Sequence, residues 1–345
     1  MKRFSFRILF FLAGLLFVLF LLSPDLVQRS AHESVLFCAS VLIPSLFPCF
    51  VLTEMLVSLS VSKAEKGSIF FRLFCLPSVM SRCWILGLLA GFPTAAECTV
   101  RMVHNRVVSK EQGERCLAFT NNPGIVFVVC AVGSGIFGSF KIGFFLWGIQ
   151  TVSSIIVGMM LANPSQQLPC KDSEDMVVPP LRKILPASVL SSVSAVLNIC
   201  GFVVFFRVLI DVLTCAVPTN TLKTLFAGLL EMTCGVCGLR EFGLISAVMT
   251  ALILGWSGLS VHFQILSVTA SEDLSLRYYF PGKALQAIFS ACLTVGVYPI
   301  FFSGEELSVG FSGACILLGL AVPMFFRFRK EFVWKKKFLI KKRAD

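Results

Sequence analysis

The sequence is poor in charge: only 14% of its 345 residues are Asp, Glu, Lys or Arg, whereas 56% are hydrophobic and the mean hydropathy is +0.86. Soluble globular chains carry about 25% charged residues. A chain with this little charge cannot cover a water-facing exterior. The shortage excludes a soluble protein. No polar stretch between the apolar runs is long enough for a separate soluble domain, so we expect a single integral membrane domain.

Histidine is also scarce, and its three copies, His32, His104 and His262, lie in different segments. The sequence contains no H-E-x-x-H, no Walker loop and no G-x-S-x-G. We therefore expect no enzyme activity, no catalytic residues, no metal and no cofactor. The 14 cysteines lie mostly inside apolar runs, where they are typical of small hydrophobic packing residues rather than of a disulfide scaffold.

The net charge of +11 is concentrated at the two ends of the chain, in residues 1–7 and 327–345. Basic flanks beside apolar spans follow the positive-inside rule and attract anionic lipid headgroups. This placement favours the lipid bilayer as partner, argues against nucleic-acid binding, and places both ends in the cytoplasm.

Apolar stretches of spanning length predict an all-α polytopic membrane protein with about eight transmembrane helices. An even number of crossings agrees with two cytoplasmic ends. The first stretch lacks a cleavage site and is predicted to be a retained helix. The predicted spans are 8–22, 35–61, 120–138, 141–161, 184–213, 242–262, 284–302 and 308–326.

Two further apolar pieces, 84–93 and 225–239, are too short to cross a bilayer and are interrupted by Gly or Pro. Each contains Gly-Leu-Leu, and each is followed by a second interruption, at 121–124 and at 256–260 respectively. Such paired interruptions predict two re-entrant or broken hairpins and an inverted repeat of two halves. In transporters, the binding site lies where such repeats meet.

Polar residues at membrane depth are the candidate site residues, since an ionisable group in an apolar span is costly without a cavity or a partner. Glu231 stands alone in an apolar segment and is either a cavity residue or half of a structural salt bridge to Arg240. Asn121 and Asn122 precede Pro123, so their amides either cap freed backbone groups or face a ligand. Lys283 lies at a predicted helix entrance, where Lys is ordinary.

Four segments together resemble the YlbJ family of sporulation integral membrane proteins. They are GLLAGFPTAAECTVRM (87–102), LAFTNNPGIVFVVCAVGSGIFG (117–138), GLLEMTCG (228–235) and GWSGLSVHFQILS (255–267). The resemblance implies nucleoside-recognition Gate domains similar to the core of concentrative nucleoside transporters. It also implies that the interrupted elements meet centrally, and that the substrate-binding residues are Asn121, Asn122, Gly124, Glu231, Thr233, Ser260, His262 and Gln264. His262 and Gln264 share a face only if the chain is extended there.

The predicted organisation has six parts. They are an N-terminal transmembrane helix and loop (1–34), a first Gate-like repeat (35–161), a polar linker (162–183), a second Gate-like repeat (184–302), a last transmembrane helix (303–326) and a basic cytoplasmic tail (327–345).

The function implied by the resemblance is a transporter in spore formation that moves dipicolinate across the outer forespore membrane, from the mother cell toward the forespore. An aromatic dianion suits half-helix N-termini and amide donors without a dedicated buried cation. A nucleoside carrier is the alternative, and a non-transporting spore-envelope scaffold is a third possibility. The oligomeric state is open.

The topology is tested by single cysteines in a cysteine-free background. We expect Ser5→Cys and Ile340→Cys to be protected from an impermeant thiol reagent in intact cells, because both ends are predicted to be cytoplasmic. Gln28→Cys, after one crossing, should be labelled. Labelling of Ile340→Cys with protection of Ser5→Cys would contradict an even number of crossings.

Overall fold

A computed structural model describes residues 2–59, 69–163, 180–215, 221–239 and 241–302. The predicted last helix (303–326), the basic tail (327–345), Arg240 and most of the predicted linker (162–183) lie outside the described residues.

All regular secondary structure in the described residues is helical. The first half of the chain contains α1 (Lys2–Leu22), α2 (Pro24–Phe37), a π-helical turn (Cys38–Leu42), α3 (Ile43–Leu59), α4 (Ile69–Phe74), a 3-10 turn (Ser78–Met80), α5 (Ser81–Leu89), α6 (Thr94–His104), α7 (Lys110–Thr120), a π-helix (Phe127–Ile136) and α8 (Phe140–Met160). The second half contains α9 (Leu181–Leu213), α10 (Thr221–Leu230), α11 (Met232–Cys237), α12 (Leu244–Trp256), α13 (Gly258–Thr269), a 3-10 turn (Ala270–Glu272) and α14 (Tyr279–Phe302).

Five stretches of the described chain are long and apolar enough to cross a membrane. They are Pro24–Leu56, Phe140–Met160, Arg182–Leu213, Leu244–Glu272 and Tyr279–Phe302. The all-α polytopic membrane fold is thus confirmed. The chain is interrupted in both predicted short pieces, after α5 and after α10.

The predicted set of eight spans needs correction. Residues 120–138 are not one span, because α7 ends at Thr120 and the π-helix covers only Phe127–Ile136. Pro123 causes the interruption, since proline lacks a backbone N–H and disfavours helical geometry in the residue before it. The apolar part of the first helix, Phe10–Leu22, is shorter than a span. The stretch 308–326 lies outside the described residues.

The same order of elements occurs in both halves. In the first half, α5 and α6 flank one interruption, and α7 and the π-helix flank the next, before the long helix α8. In the second half, α10 and α11, then α12 and α13, repeat this order before the long helix α14. The Gate-like assignment and the boundaries of the two repeats stay a prediction.

The two halves pack directly against each other. Helix α14 packs against α7 and α8, α12 packs against α8, and α13 packs against α6. Side-chain contacts hold one end of this interface together: Arg277 pairs with Glu114 at 3.0 Å, and His104 Nδ1 lies 2.7 Å from Glu272 Oε1. The two interrupted regions are therefore held in one core.

A side-chain N-cap fixes where α7 begins, and a glycine of α5 lets the two helices approach closely. The Ser109 hydroxyl accepts from the Gln112 N–H at 3.2 Å, while the Gln112 side chain accepts from the Ser109 N–H at 2.9 Å, a reciprocal N-cap. At the other end of α7, the carbonyl of Thr120 lies against Gly87 of α5, so closely that a Cβ at Gly87 would overlap it. Glycine at position 87 thus lets the two interruptions of the first half meet.

We expect Gly87→Ala to lower the thermal midpoint of the purified protein in detergent, because the added methyl group forces α5 away from Thr120. Overpacking of this kind costs about 1–3 kcal/mol. Gly201→Ala on α9 is the matched control, since a Cβ there meets no atom within 4 Å. Equal thermal midpoints for the two variants would contradict the close approach of α5 and α7.

Candidate functional site

The two interruptions of the first half touch through their backbones. Gly91 and Pro123 form an isolated antiparallel bridge. Gly91 has φ +87°, and a Cβ there would lie 2.5 Å from the Gly124 nitrogen. Because only glycine combines this φ with this proximity, the Gly-Phe-Pro and Asn-Asn-Pro-Gly segments form one unit.

The two interruptions of the second half meet in the same way. Ser257 and Gly258 have φ of 75° and 82°, so the chain turns sharply between α12 and α13. A Cβ at Gly258 would lie 3.0 Å from the Met232 nitrogen and 3.1 Å from the Cα of Glu231. The Trp-Ser-Gly turn thus packs directly on the junction between α10 and α11.

A cavity of about 30 Å³ lies where these two units face each other, and we call it the closed cavity because its space is too small for an organic molecule. Five predicted site residues line it: Gly124, Glu231, Thr233, Ser260 and Gln264. The rest of its wall is largely apolar and includes Leu42, Leu46, Phe50, Phe92, Phe127 and Ile199. A cavity of this size holds only a water or two. A larger molecule would fit only if the two units separated.

Two side chains on this cavity carry buried polar atoms without a partner. Ser260 and Gln264 are each 1% exposed, and Ser260 Oγ and Gln264 Oε1 have no hydrogen-bond partner among the described residues. An unsatisfied buried polar atom costs about 1–3 kcal/mol. Such atoms are rare in folded proteins and mark a place where a ligand or water completes the bonding.

Glu231 borders the cavity and also holds the local backbone. It is 1% exposed, and its Oε2 accepts from the backbone N–H of Cys234 at 2.7 Å as the N-cap of α11. One carboxylate thus fixes the start of α11 and faces the closed cavity. Its predicted alternative partner, Arg240, lies outside the described residues.

The surroundings of Lys283 differ most from those predicted from the sequence. It is 0% exposed, and its Nζ donates to the Asn121 carbonyl at 3.0 Å and to Gln286 Oε1 at 2.9 Å. No carboxylate of the described residues forms an ion pair with it. The interpretation of Lys283 as an ordinary helix-entrance residue is therefore wrong. A buried lysine lies at the Asn-Asn interruption.

Lys283 belongs to a polar network that crosses the interface of the two halves. Gln286 Nε2 donates to Asn122 Oδ1 at 2.7 Å. It also lies 3.4 Å from Gln150 Oε1, and Gln150 Nε2 donates to the Ala251 carbonyl at 2.8 Å. We call the set Asn121, Asn122, Gln150, Lys283 and Gln286 the interface network. It connects the Asn-Asn interruption to α8, α12 and α14.

Asn121 and Asn122 do not line the closed cavity. Their side-chain nitrogens donate to the carbonyls of Leu117 and Phe119 at 2.8 and 2.9 Å, so both amides cap the end of α7. Asn121 Oδ1 keeps no partner within the described part of the chain. The two amides therefore cap freed backbone groups, which is one of the two alternatives that the sequence left open. In addition, Lys283 contacts the Asn121 carbonyl and Gln286 contacts Asn122 Oδ1.

His262 is separated from the cavity by helical geometry. Since α13 is a regular helix, positions 262 and 264 point about 200° apart. Gln264 lines the cavity, whereas His262 Nδ1 lies 3.0 Å from the Tyr279 hydroxyl and its ring packs edge-on against Trp256. The extended chain that would put both residues on one face is not formed.

Gln150, Tyr279, Lys283 and Gln286 were not among the site residues predicted from the sequence. A signal for the last two was present. Lys283, Gln286, Ser290 and Thr294 recur at intervals of three and four residues in an apolar helix, and all four are fully buried. This spacing is typical of a polar stripe along one helix face.

Comparison with known proteins supports the sequence resemblance. The sporulation integral membrane protein YlbJ of Bacillus subtilis (strain 168) is 26% identical over 295 residues, covering 73% of this chain and 72% of the relative. The chain is thus similar to a YlbJ protein over about three quarters of its length. No family model matches the chain, and no solved structure matches it. This similarity supports a membrane role in sporulation.

A double-mutant cycle tests the interface network. Gln286→Leu alone removes a partner from Lys283 and from Asn122, and Lys283→Met alone leaves Gln286 Oε1 without its donor. Each change should lower the thermal midpoint, because each leaves a buried polar atom unpaired. The double variant should lose less stability than the sum of the losses in the two single variants, with a coupling of about 0.5–3 kcal/mol.

The control pair combines Gln28→Leu, at an exposed position, with Lys283→Met, and the stability losses of these two changes should be additive. Additivity in both pairs would contradict the network.

Proposed function

We propose that the protein is a membrane transporter of a small polar molecule in spore formation, and not an enzyme. The observation that carries this proposal is the closed cavity between the interrupted helices, where Ser260 and Gln264 present unpartnered polar atoms. Irregular backbone at membrane depth is tolerated only where protein buries it or water reaches it. Carrier sites use this arrangement to expose polar groups to a cargo.

The cargo we propose is dipicolinate, a small aromatic dianion, as the family resemblance implies. Two features favour an anion. The first turn of α13, with Ser260, borders the cavity, and backbone N–H groups at a helix start attract negative charge. Lys283 holds the carbonyl of Asn121, two residues before Pro123 on the cavity wall. A lysine side chain thus lies beside the site, whereas we expected that no dedicated basic residue was needed there.

A nucleoside is the second candidate cargo, and Glu231 favours it. The carboxylate lines the cavity, where it would accept hydrogen bonds from sugar hydroxyls but repel a dianion unless protonated. A scaffold without transport activity would gain nothing from unpartnered polar atoms around a cavity. The proposed location is the mother-cell membrane that surrounds the forespore, with transport toward the forespore.

Uptake into proteoliposomes tests the function and the cargo. We expect the wild-type protein to take up dipicolinate, and to transport the neutral diamide of the same ring far more slowly. A hydrogen bond that the Gln264 side-chain N–H donates to a charged carboxylate of the cargo contributes about 1.5–3 kcal/mol. Gln264→Leu should therefore reduce dipicolinate uptake by about tenfold or more.

Gln28→Leu is the matched control, because Gln28 is exposed on α2 and distant from the cavity lining. It should leave uptake unchanged at equal protein abundance. Uptake of uridine but not dipicolinate would establish the nucleoside carrier instead. No uptake of either compound by correctly folded protein would favour the scaffold.

A further inference from the structure

A second, larger cavity lies beside the closed one. Its volume is about 190 Å³, and we call it the vestibule. It is lined by Glu33, Ser34, Phe37, Val203, Arg207, Thr233, Cys234 and Cys237. For comparison, a cavity of about 150 Å³ holds a benzene molecule. The vestibule thus has room for a single aromatic ring, which the closed cavity does not.

The vestibule and the closed cavity share a wall. Val203 and Thr233 line both spaces. Glu231 lines only the closed cavity and Cys234 lines only the vestibule, although the Glu231 carboxylate is bonded to the Cys234 N–H. The first turn of α11 is therefore the partition between the two spaces, and Glu231 holds it in place.

A charged cluster borders the vestibule at Arg207. Arg207 Nε donates to Asp211 Oδ2 at 2.9 Å, and Ser30 Oγ donates to the same oxygen at 2.8 Å. Arg207 lies six residues before the end of α9 at Leu213, or about 9 Å along the helix. Charged side chains at such a depth face water rather than lipid. The charged side chains of Arg207 and Glu33 therefore make this part of the vestibule polar.

The guanidinium of Arg207 has capacity for another anion. Its Nη2 lies 3.9 Å from Glu33 Oε2, and the side chains of Arg207 and Glu33 are 35% and 57% exposed. An ion pair this long and this exposed contributes little, so a better-placed carboxylate can replace Glu33. Because Arg207 stays anchored to Asp211, the exchange requires no movement of α9.

We propose that the vestibule is an anion-binding access site, in which Arg207 binds a carboxylate of the cargo in place of Glu33. The cargo ring then lies against Val203 and Thr233, on the outer side of the α11 partition. Movement of that partition passes the cargo to Ser260 and Gln264. The inference rests on the proposed function for the charge of the cargo, and it assigns the step before the closed site.

The native cysteines report on vestibule occupancy. Cys237 lines the vestibule and Cys215 is an exposed cysteine outside it, so Cys215 is the internal control. Rates of modification by a small hydrophilic maleimide are measured at each cysteine by peptide mass analysis of the full-length protein. Dipicolinate should slow modification of Cys237 at least threefold and leave Cys215 unaffected. Arg207→Gln should abolish this protection.

Uptake kinetics provide a second measurement. Arg207→Gln should raise the KM for dipicolinate about tenfold with little change in the maximal rate, because the access site is lost but the closed site is kept. Arg207→Lys should restore part of the affinity. Glu33→Gln should keep or lower the KM, since it removes the competing carboxylate. Arg182→Gln, an exposed cation on the same helix, should change nothing.

The outcomes separate this inference from the proposed function. Protection of Cys237 that is equal in the wild type and in Arg207→Gln, or absent from both, would overturn the access site even if dipicolinate is transported. Arg207-dependent protection without uptake would support the access site and overturn transport of dipicolinate. Thermal midpoints of all variants exclude loss of folding as the cause.

Discussion

Backbone hydrogen bonding is the constraint on which this structure depends. Inside a bilayer no water is available for unpaired N–H and C=O groups, so an interrupted helix survives only where protein buries the interruption. Here the interruptions meet in pairs, Gly91 on Pro123 and Gly258 on the Glu231–Met232 junction. Side chains complete the bonding: Asn121 and Asn122 cap α7, and Glu231 caps α11. The closed cavity follows from this arrangement, since it lies between the two units.

The interface network joins the interrupted helices of one half to the long helix α14 of the other. Lys283 and Gln286 of α14 bind the Asn-Asn interruption of the other half, and Gln150 connects them to α12. A buried lysine without a carboxylate partner is costly when it is charged, and in membrane proteins such a group marks a functional site. The same contacts that hold the two halves together therefore place a lysine side chain beside the proposed cargo site.

The two cavities differ as we would expect if a cargo occupied first the vestibule and then the closed cavity. The vestibule is larger and contains exposed charges, whereas the closed cavity is small, largely apolar and lined by unpartnered Ser260 and Gln264. The first turn of α11 lies between them. Glu231 therefore has a structural position and a proposed functional one, because the carboxylate that faces the proposed cargo site also fixes the partition.

The sequence by itself determined the membrane class, the all-helical fold and the places where the chain is interrupted. Hydropathy, Pro123 and Gly258 act locally, and their effects are visible in the chain order. Only the tertiary structure decided which polar residues belong together. Gln264 and His262 are two residues apart but face different surroundings because α13 is helical, and Lys283 meets Asn121 only because α14 packs on α7. Contacts between residues more than 160 positions apart depend on how helices pack, which no local pattern specifies.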